Sequence, residues 1–316
     1  MFLTIIILII GIAILIYGAD ILVKGSASIA KKLGIPSIVI GLTVVAFGTS
    51  APELAVNLFS IAKGTTDLAI AHIIGSNIAN ILLILGISAI IFPLAVKKNT
   101  TYKEIPFALL AVVVVAIFSN DALINGHGNN ILDRTEGIVL ILFFILFLYY
   151  IFGLSKTKDK HEKIKTYSLG KSFLLFFIGL VALIIGGKII VNNAVILARL
   201  AGMSERLIGL TVIALGTSLP ELAISIVAAI RKQADIAIGN VVGSNIFNVF
   251  WVLGLTAIIK PIPFDTSINI DVLMSIVATL LLFFFMFIHD KHRLNRWQGI
   301  FFVLLYVAYI TFIIVK

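Results

Sequence analysis

The sequence predicts an all-α polytopic membrane protein: ten transmembrane helices in two inverted five-helix repeats, with broken helices at the midplane. Three observations predict it. Of 316 residues, 60% are hydrophobic and 12% charged, with a mean hydropathy of +1.17, whereas a water-soluble domain carries about 45–50% apolar and about 25% charged residues. A bilayer crossing needs about 20 apolar residues. The apolar runs supply ten such spans with short connections and leave no room for a soluble domain. Residues 41–86 and 209–254 align without a gap at an offset of 168, with 22 identities in 46 positions.

The helices follow from cutting the apolar runs at Pro, Gly and charge clusters. The first, 2–30, ends at Lys31-Lys32. It lacks a basic leader and a small-residue cleavage site, so it reads as a retained span and not a signal peptide. The second, 36–62, runs from Pro36 to the Lys63-Gly64 break. The third, 67–92, starts at Asp67, read as an N-terminal cap, and stops at Pro93. The fourth, 102–119, follows Lys97-Lys98 and ends before Asn120-Asp121. The fifth, 133–153, closes the first repeat, residues 1–154. A charged linker, 155–171, holds Lys156, Lys158, Lys160, Lys163 and Lys165. The second repeat, 172–316, carries helices at about 169–199, 204–231, 235–259, 268–288 and 295–315. Asp235, the partner of Asp67 in the repeat, reads as a second cap.

Five helices per repeat is an odd number, so the two halves enter the membrane from opposite sides. Inverted repeats of this kind are common among secondary transporters. With the N-terminus outside, the inside segments hold sixteen Lys and Arg and the outside segments six. This bias places both termini outside and the linker in the cytoplasm. It also accounts for the net charge of +9 without nucleic acid. Cysteine is absent, which excludes disulfides and thiolate metal sites.

Each repeat sets a polar cluster inside an apolar helix: Gly48-Thr49-Ser50-Ala51-Pro52-Glu53 and Gly216-Thr217-Ser218-Leu219-Pro220-Glu221. An ionisable residue near mid-span costs several kcal/mol and marks function. Pro52 and Pro220 lack an N–H, so the carbonyls of Gly48 and Gly216 lose their helical partners and the helix breaks. Thr49 and Ser50 lie four and three residues before Glu53 and share its face, as Thr217 and Ser218 do with Glu221. The next helix of each repeat reads Gly75-Ser76-Asn77-Ile78-Ala79-Asn80 or Gly243-Ser244-Asn245-Ile246-Phe247-Asn248. Ser76 with Asn80, and Ser244 with Asn248, share a face and offer neutral oxygens. Asn77 and Asn245 point elsewhere, toward freed backbone or the other repeat. Oxygen donors without nitrogen or sulfur suit hard cations such as Ca²⁺, Na⁺, Mg²⁺ or Mn²⁺. Two carboxylates are neutralised by one Ca²⁺, by Na⁺ ions or by two protons, and exclusive occupancy of one such site is the basis of antiport.

These paired blocks resemble the two alpha-repeats of the calcium/cation antiporter superfamily, in particular its prokaryotic sodium/calcium exchanger branch. The resemblance covers nearly the whole chain. It implies Ca²⁺ export across the cytoplasmic (inner) membrane, driven by Na⁺, through movement of the first and sixth helices against the rest. It implies Glu53 and Glu221 as central ligands. Thr49, Ser50, Thr217, Ser218, the carbonyls of Ala46 and Ala214, and Ser76, Asn80, Ser244 and Asn248 complete the sites. Ca²⁺ and Na⁺ are then substrates and no cofactor is implied; a monomer in the bilayer is expected. Proton-coupled relatives usually carry an acid in the third-helix motif, where Gly75 and Gly243 stand here, and potassium-dependent ones an Asp at the position of Asn248. Proton coupling remains the alternative. An intramembrane hydrolase using the Glu pair, or a cation channel, is less consistent with two matched inverted copies.

One departure is His72, where the second repeat has Asn240. It shares a stripe with Ser76 and Asn80, and reads either as a helix-end histidine bonded to backbone or as a proton-linked group. Asp20 and Lys188, at equivalent positions of the first and sixth helices, read as snorkelling or ion-paired.

Overall fold

The computed structural model describes residues 1–63, 68–122, 126, 130–156, 166–202 and 214–315. Asp67, Arg206 and linker residues 157–165 lie outside them. Among the described residues, nine helices are long and apolar enough to cross a bilayer. They are α1 (Phe2–Leu33), α2 (Ser37–Ile61), α3 (Ala69–Ile91), α4 (Thr100–Phe118) and α5 (Arg134–Ser155) in the first half. In the second half they are α6 (Leu169–Leu200), α8 (Ala234–Ile259), α9 (Thr266–Phe285) and α10 (Arg296–Val315). Between α6 and α8 lies the shorter α7 (Leu219–Ile230), preceded by a helical turn over Ala214–Thr217. Apart from α7, whose expected residues 204–213 lie outside the described ones, these boundaries fall within three residues of the sequence reading. The largest shifts are at α1, which ends three residues later, and α9, which ends three residues earlier.

α1 and α6 pack together along a seam of small residues. A Cβ on Gly18 would lie 3.0 Å from the Gly179 carbonyl, one on Gly186 3.0 Å from the Gly11 carbonyl, and one on Gly25 2.8 Å from the Ser172 carbonyl. The seam is antiparallel, because the partners descend as the α1 numbers rise. Small residues let two backbones approach this closely where lipid supplies no hydrophobic drive between helices. At one end the hydroxyls of Ser28 and Ser172 sit 2.8 Å apart. The opposite face of α1, with Ile9, Ile16 and Tyr17, is exposed, as a lipid-facing surface requires.

Two short strand pairs report how the halves interlock. β1 (Leu94–Ala95), after α3, pairs antiparallel with β4 (Arg293–Leu294), before α10. β2 (Ile131–Leu132), before α5, pairs with β3 (Ile262–Pro263), after α8. The end of α3 and the start of α10 therefore share one face, and the end of α8 and the start of α5 share another. Halves of opposite sense produce this exchange. The Lys97–Asp235 ion pair, 2.9 Å, joins the end of α3 to the start of α8 in the same way. It also corrects the capping assignment. Gln233 occupies the cap position, and Asp235 lies in the first helical turn.

α3 and α8 form the centre of the molecule, with 78% of their apolar windows buried against 22% for α1 and α10. Both contain a π-helical stretch at the repeat offset, Ala79–Leu85 and Phe247–Leu253. Such wider turns are frequent at functional sites, and each one here carries its helix's second Asn. Gly41 on α2 and Gly239 on α8 touch backbone to backbone, a Cβ on either lying 3.0 Å from the other's Cα. Asp20 on α1 is held by Lys24, at 2.6 Å, and by Arg231 just beyond α7. It is ion-paired, whereas Lys188 is exposed.

Candidate cation site

Both motif helices break where proline removes the N–H. Ser50 and Ser218 leave helical geometry in the same way, with φ −82°, ψ 0° and φ −86°, ψ 4°. The interruption is one residue long, since Leu54 and Leu222 already bond back to the Ser50 and Ser218 carbonyls at 3.2 and 3.0 Å. Each glutamate thus falls in the first turn of a new helix, where the helix dipole favours a negative charge. Glu53 and Glu221 are completely buried.

The two halves surround these carboxylates with matching hydroxyls. Ser76 donates to Glu53 Oε1 at 3.4 Å, and Ser244 to Glu221 Oε1 at 3.4 Å. Ser76 and Ser218 lie 3.1 Å apart across the interface between halves, and Thr49 and Ser244 3.2 Å apart. Thr217 reaches the carboxylate of Glu53 and Thr49 that of Glu221. Glu53 and Glu221 thus each collect hydroxyls from both repeats.

The four motif asparagines divide the labour. Asn77 Nδ2 donates to the Asn245 carbonyl, and Asn245 Nδ2 to the Asn77 carbonyl, both at 3.2 Å. Asn80 Nδ2 donates to Asn245 Oδ1 at 2.9 Å, and Asn248 Nδ2 to Asn77 Oδ1 at 3.1 Å. Asn77 and Asn245 are thus braces between α3 and α8, as pointing toward the other repeat anticipates. Both NH₂ groups are thus engaged, and only the oxygens of Asn80 and Asn248 are left over.

Those oxygens have no hydrogen-bond partner. Ser50 Oγ, Glu53 Oε2, Asn80 Oδ1, Glu221 Oε2 and Asn248 Oδ1 are all buried and unpartnered. Leaving one buried polar group unsatisfied costs about 1–3 kcal/mol, so five in one cluster demand an explanation. All five are oxygens and two belong to carboxylates. A hard cation satisfies this donor set.

The remaining expected ligands are placed less openly. The Ala46 carbonyl already accepts from the Ser50 N–H at 2.9 Å and the Thr49 hydroxyl at 3.2 Å. Ala214 opens the turn before the second break. Sequence reasoning missed the role of Asn240, whose Nδ2 reaches the Glu221 carbonyl at 3.2 Å and Ser225 Oγ at 3.1 Å. It also missed Asn57, the repeat partner of Ser225, whose buried carboxamide is unpartnered at both ends. The polar pair one turn beyond each glutamate was the available signal. His72 does not bond backbone: its Nε2 lies 3.1 Å from Thr217 Oγ1.

The chain matches the sodium/calcium exchanger protein family over residues 3–153 and 171–315. It is 36% identical to an inner membrane protein of Escherichia coli over 89% of each chain. It is 29% identical to the sodium/calcium exchanger MaX1 of Methanosarcina acetivorans over 97% of each chain. Among solved structures it resembles the sodium-calcium exchanger NCX_Mj, soaked with Na⁺ and Sr²⁺, with 33% identity, a TM-score of 0.85 and 98% of each chain covered.

Proposed function

The chain belongs to the sodium/calcium exchanger protein family; from that premise we propose that it exchanges Na⁺ for Ca²⁺ at the Glu53–Glu221 site. It is a multi-pass membrane cation antiporter and not an enzyme. In the proposed cycle, Na⁺ moving down its gradient into the cell drives Ca²⁺ out across the cytoplasmic membrane. Both termini lie outside and the two repeats divide at the 155–171 linker. α1 and α6 move as a pair against the core, exposing the site to each side in turn.

One observation carries the reading: two symmetry-matched buried carboxylates each keep an unpartnered oxygen, and Ser50, Asn80 and Asn248 of the same motifs keep three more. Ca²⁺ takes six to eight oxygens and tolerates mixed carboxylate, carbonyl and hydroxyl ligands. Two carboxylates match its charge, and Na⁺ ions at the same oxygens exclude it. The expected ligands are Glu53, Glu221, Thr49, Ser50, Thr217, Ser218, Ser76, Asn80, Ser244 and Asn248, with the carbonyls of Ala46 and Ala214 beside them. The Glu53→Gln/Glu221→Gln variant removes both charges and keeps the volume, so Ca²⁺ binding is expected to vanish.

The test is Ca²⁺ uptake into proteoliposomes loaded with Na⁺ or, separately, carrying only a pH gradient. Uptake is expected with the Na⁺ gradient alone. Uptake with the pH gradient alone would replace Na⁺ by H⁺ as the counter-ion.

A further inference from the structure

We propose that His72 is a positioning residue: it sets which way the Thr217 hydroxyl points and so makes the cation site chemically unequal between its two halves. The inference rests on the cation-site reading above and adds a residue that acts through a ligand.

The repeat offset places His72 opposite Asn240, and Thr217 opposite Thr49. The contact is the same in both halves. His72 Nε2 lies 3.1 Å from Thr217 Oγ1, and Asn240 Oδ1 lies 3.1 Å from Thr49 Oγ1. The chemistry is not the same. Asn240 commits its Nδ2 to the Glu221 carbonyl and to Ser225, so the atom it turns to Thr49 is an amide oxygen. An amide oxygen only accepts. Thr49 has only acceptors to share its hydrogen among here, the Ala46 carbonyl at 3.2 Å, Asn240 Oδ1 at 3.1 Å and the Glu221 carboxylate, so Asn240 takes none of its oxygen lone pairs.

An imidazole nitrogen can accept or donate, according to where its hydrogen sits. Nδ1 of His72 is buried and has no partner. Asn57, at the position of Ser225, does not close the bond that Ser225 makes. An orphaned buried N–H is rarer than an orphaned acceptor. The hydrogen therefore belongs on Nε2 and is donated to Thr217. Thr217 then spends a lone pair on His72 and has its own hydrogen for Glu53, which it reaches. Both threonines reach a carboxylate of the other half, and Thr217 in addition has one lone pair taken by His72.

The test measures Ca²⁺ binding by calorimetry on the full chain in detergent, with valine replacing each threonine at constant shape. Thr49→Val is expected to weaken binding about tenfold, the worth of one good ligand bond, and Thr217→Val, whose oxygen already spends one lone pair on His72, about threefold. In a His72→Asn background Thr217→Val is expected to cost about tenfold. The reciprocal Asn240→His is expected to bring the Thr49→Val loss down to about threefold, and it carries the test should His72→Asn fail to fold. A purely structural histidine would not move these ratios. Equal losses from the two valines in the wild-type background, or ratios unchanged by both exchanges, overturn the proposal. If Glu53→Gln with Glu221→Gln leaves Ca²⁺ binding intact, the site reading itself fails, a distinct result that removes this inference with it.

Discussion

Asn77 and Asn245 clasp each other across the centre of the molecule, each side-chain NH₂ bonded to the other's backbone carbonyl at 3.2 Å. Both are fully or almost fully buried, and through its Oδ1 Asn77 also fixes Asn248, and Asn245 fixes Asn80. Asn77→Ala removes the side-chain donor to the Asn245 carbonyl and the shorter of the two bonds of the Asn248 NH₂, which keeps only Ser76 Oγ at 3.4 Å. Destabilisation of about 1–3 kcal/mol for each group left unsatisfied is expected. Thermal melting without Ca²⁺ reads that loss. Ca²⁺ titration is expected to show weaker binding, because Asn248 is no longer oriented.

The carboxylates make an opposite pair of predictions for stability and binding. Taking two buried charges out of water is costly unless they are compensated. Glu53→Gln or Glu221→Gln is therefore expected to leave the metal-free melting temperature unchanged or raised. The same variants are expected to lower Ca²⁺ affinity by about a hundredfold, since truncating one partner of a buried charge pair costs about 2–5 kcal/mol. A variant that melts lower without metal yet binds Ca²⁺ normally would count against the site.

The absence of cysteine makes the orientation directly testable. Lys98 follows β1 on the face shared with β4, and Lys260 precedes β3 on the opposite face. With both termini outside, a single cysteine at Lys260 is expected to react with an impermeant maleimide on intact cells. A single cysteine at Lys98 is expected to react only after permeabilisation. The reverse pattern would invert the assignment.

The glycine seam predicts a sharp positional contrast. At Gly18 a Cβ alone would lie 2.8 Å from the Ala182 Cβ and 3.0 Å from the Gly179 carbonyl. Gly18→Leu must push α1 from α6, and overpacking of this kind costs about 1–3 kcal/mol or more. Gly153 on α5 has nothing within 4 Å of its Cβ position. Gly153→Ala is expected to be neutral or to stabilise by up to about 1 kcal/mol through helix propensity. Melting temperatures of the two variants check both.

Much of the fold was legible because its signals are local. A twenty-residue apolar run identifies a span wherever it lies, and proline two residues beyond a serine breaks the helix in both copies. The 168-residue offset paired Glu53 with Glu221 and Asn80 with Asn248 before any distance was known. Capping was read less well. Asp235 resembles a cap in sequence, yet Lys97 from the other half draws it into an ion pair. His72 is similar: a helix-end histidine bonded to backbone is the local expectation, and Thr217, 145 residues away, supplies the partner instead. The π-helical turns at Asn80 and Asn248 have no sequence signature, because they arise where packed helices re-register against each other.

By itself the sequence pointed to the spans, their duplication and two of the buried acids, Glu53 and Glu221, because hydropathy and covalent spacing are properties of neighbouring residues; Glu104, equally buried, carried no such signal. Only the tertiary structure decided which atoms of those residues remain open. The Oδ1 atoms of Asn77 and Asn245 take up the NH₂ groups of Asn248 and Asn80 and leave the oxygens of those two without a partner. Hydrogen-bond saturation depends on distances between residues that the chain holds far apart.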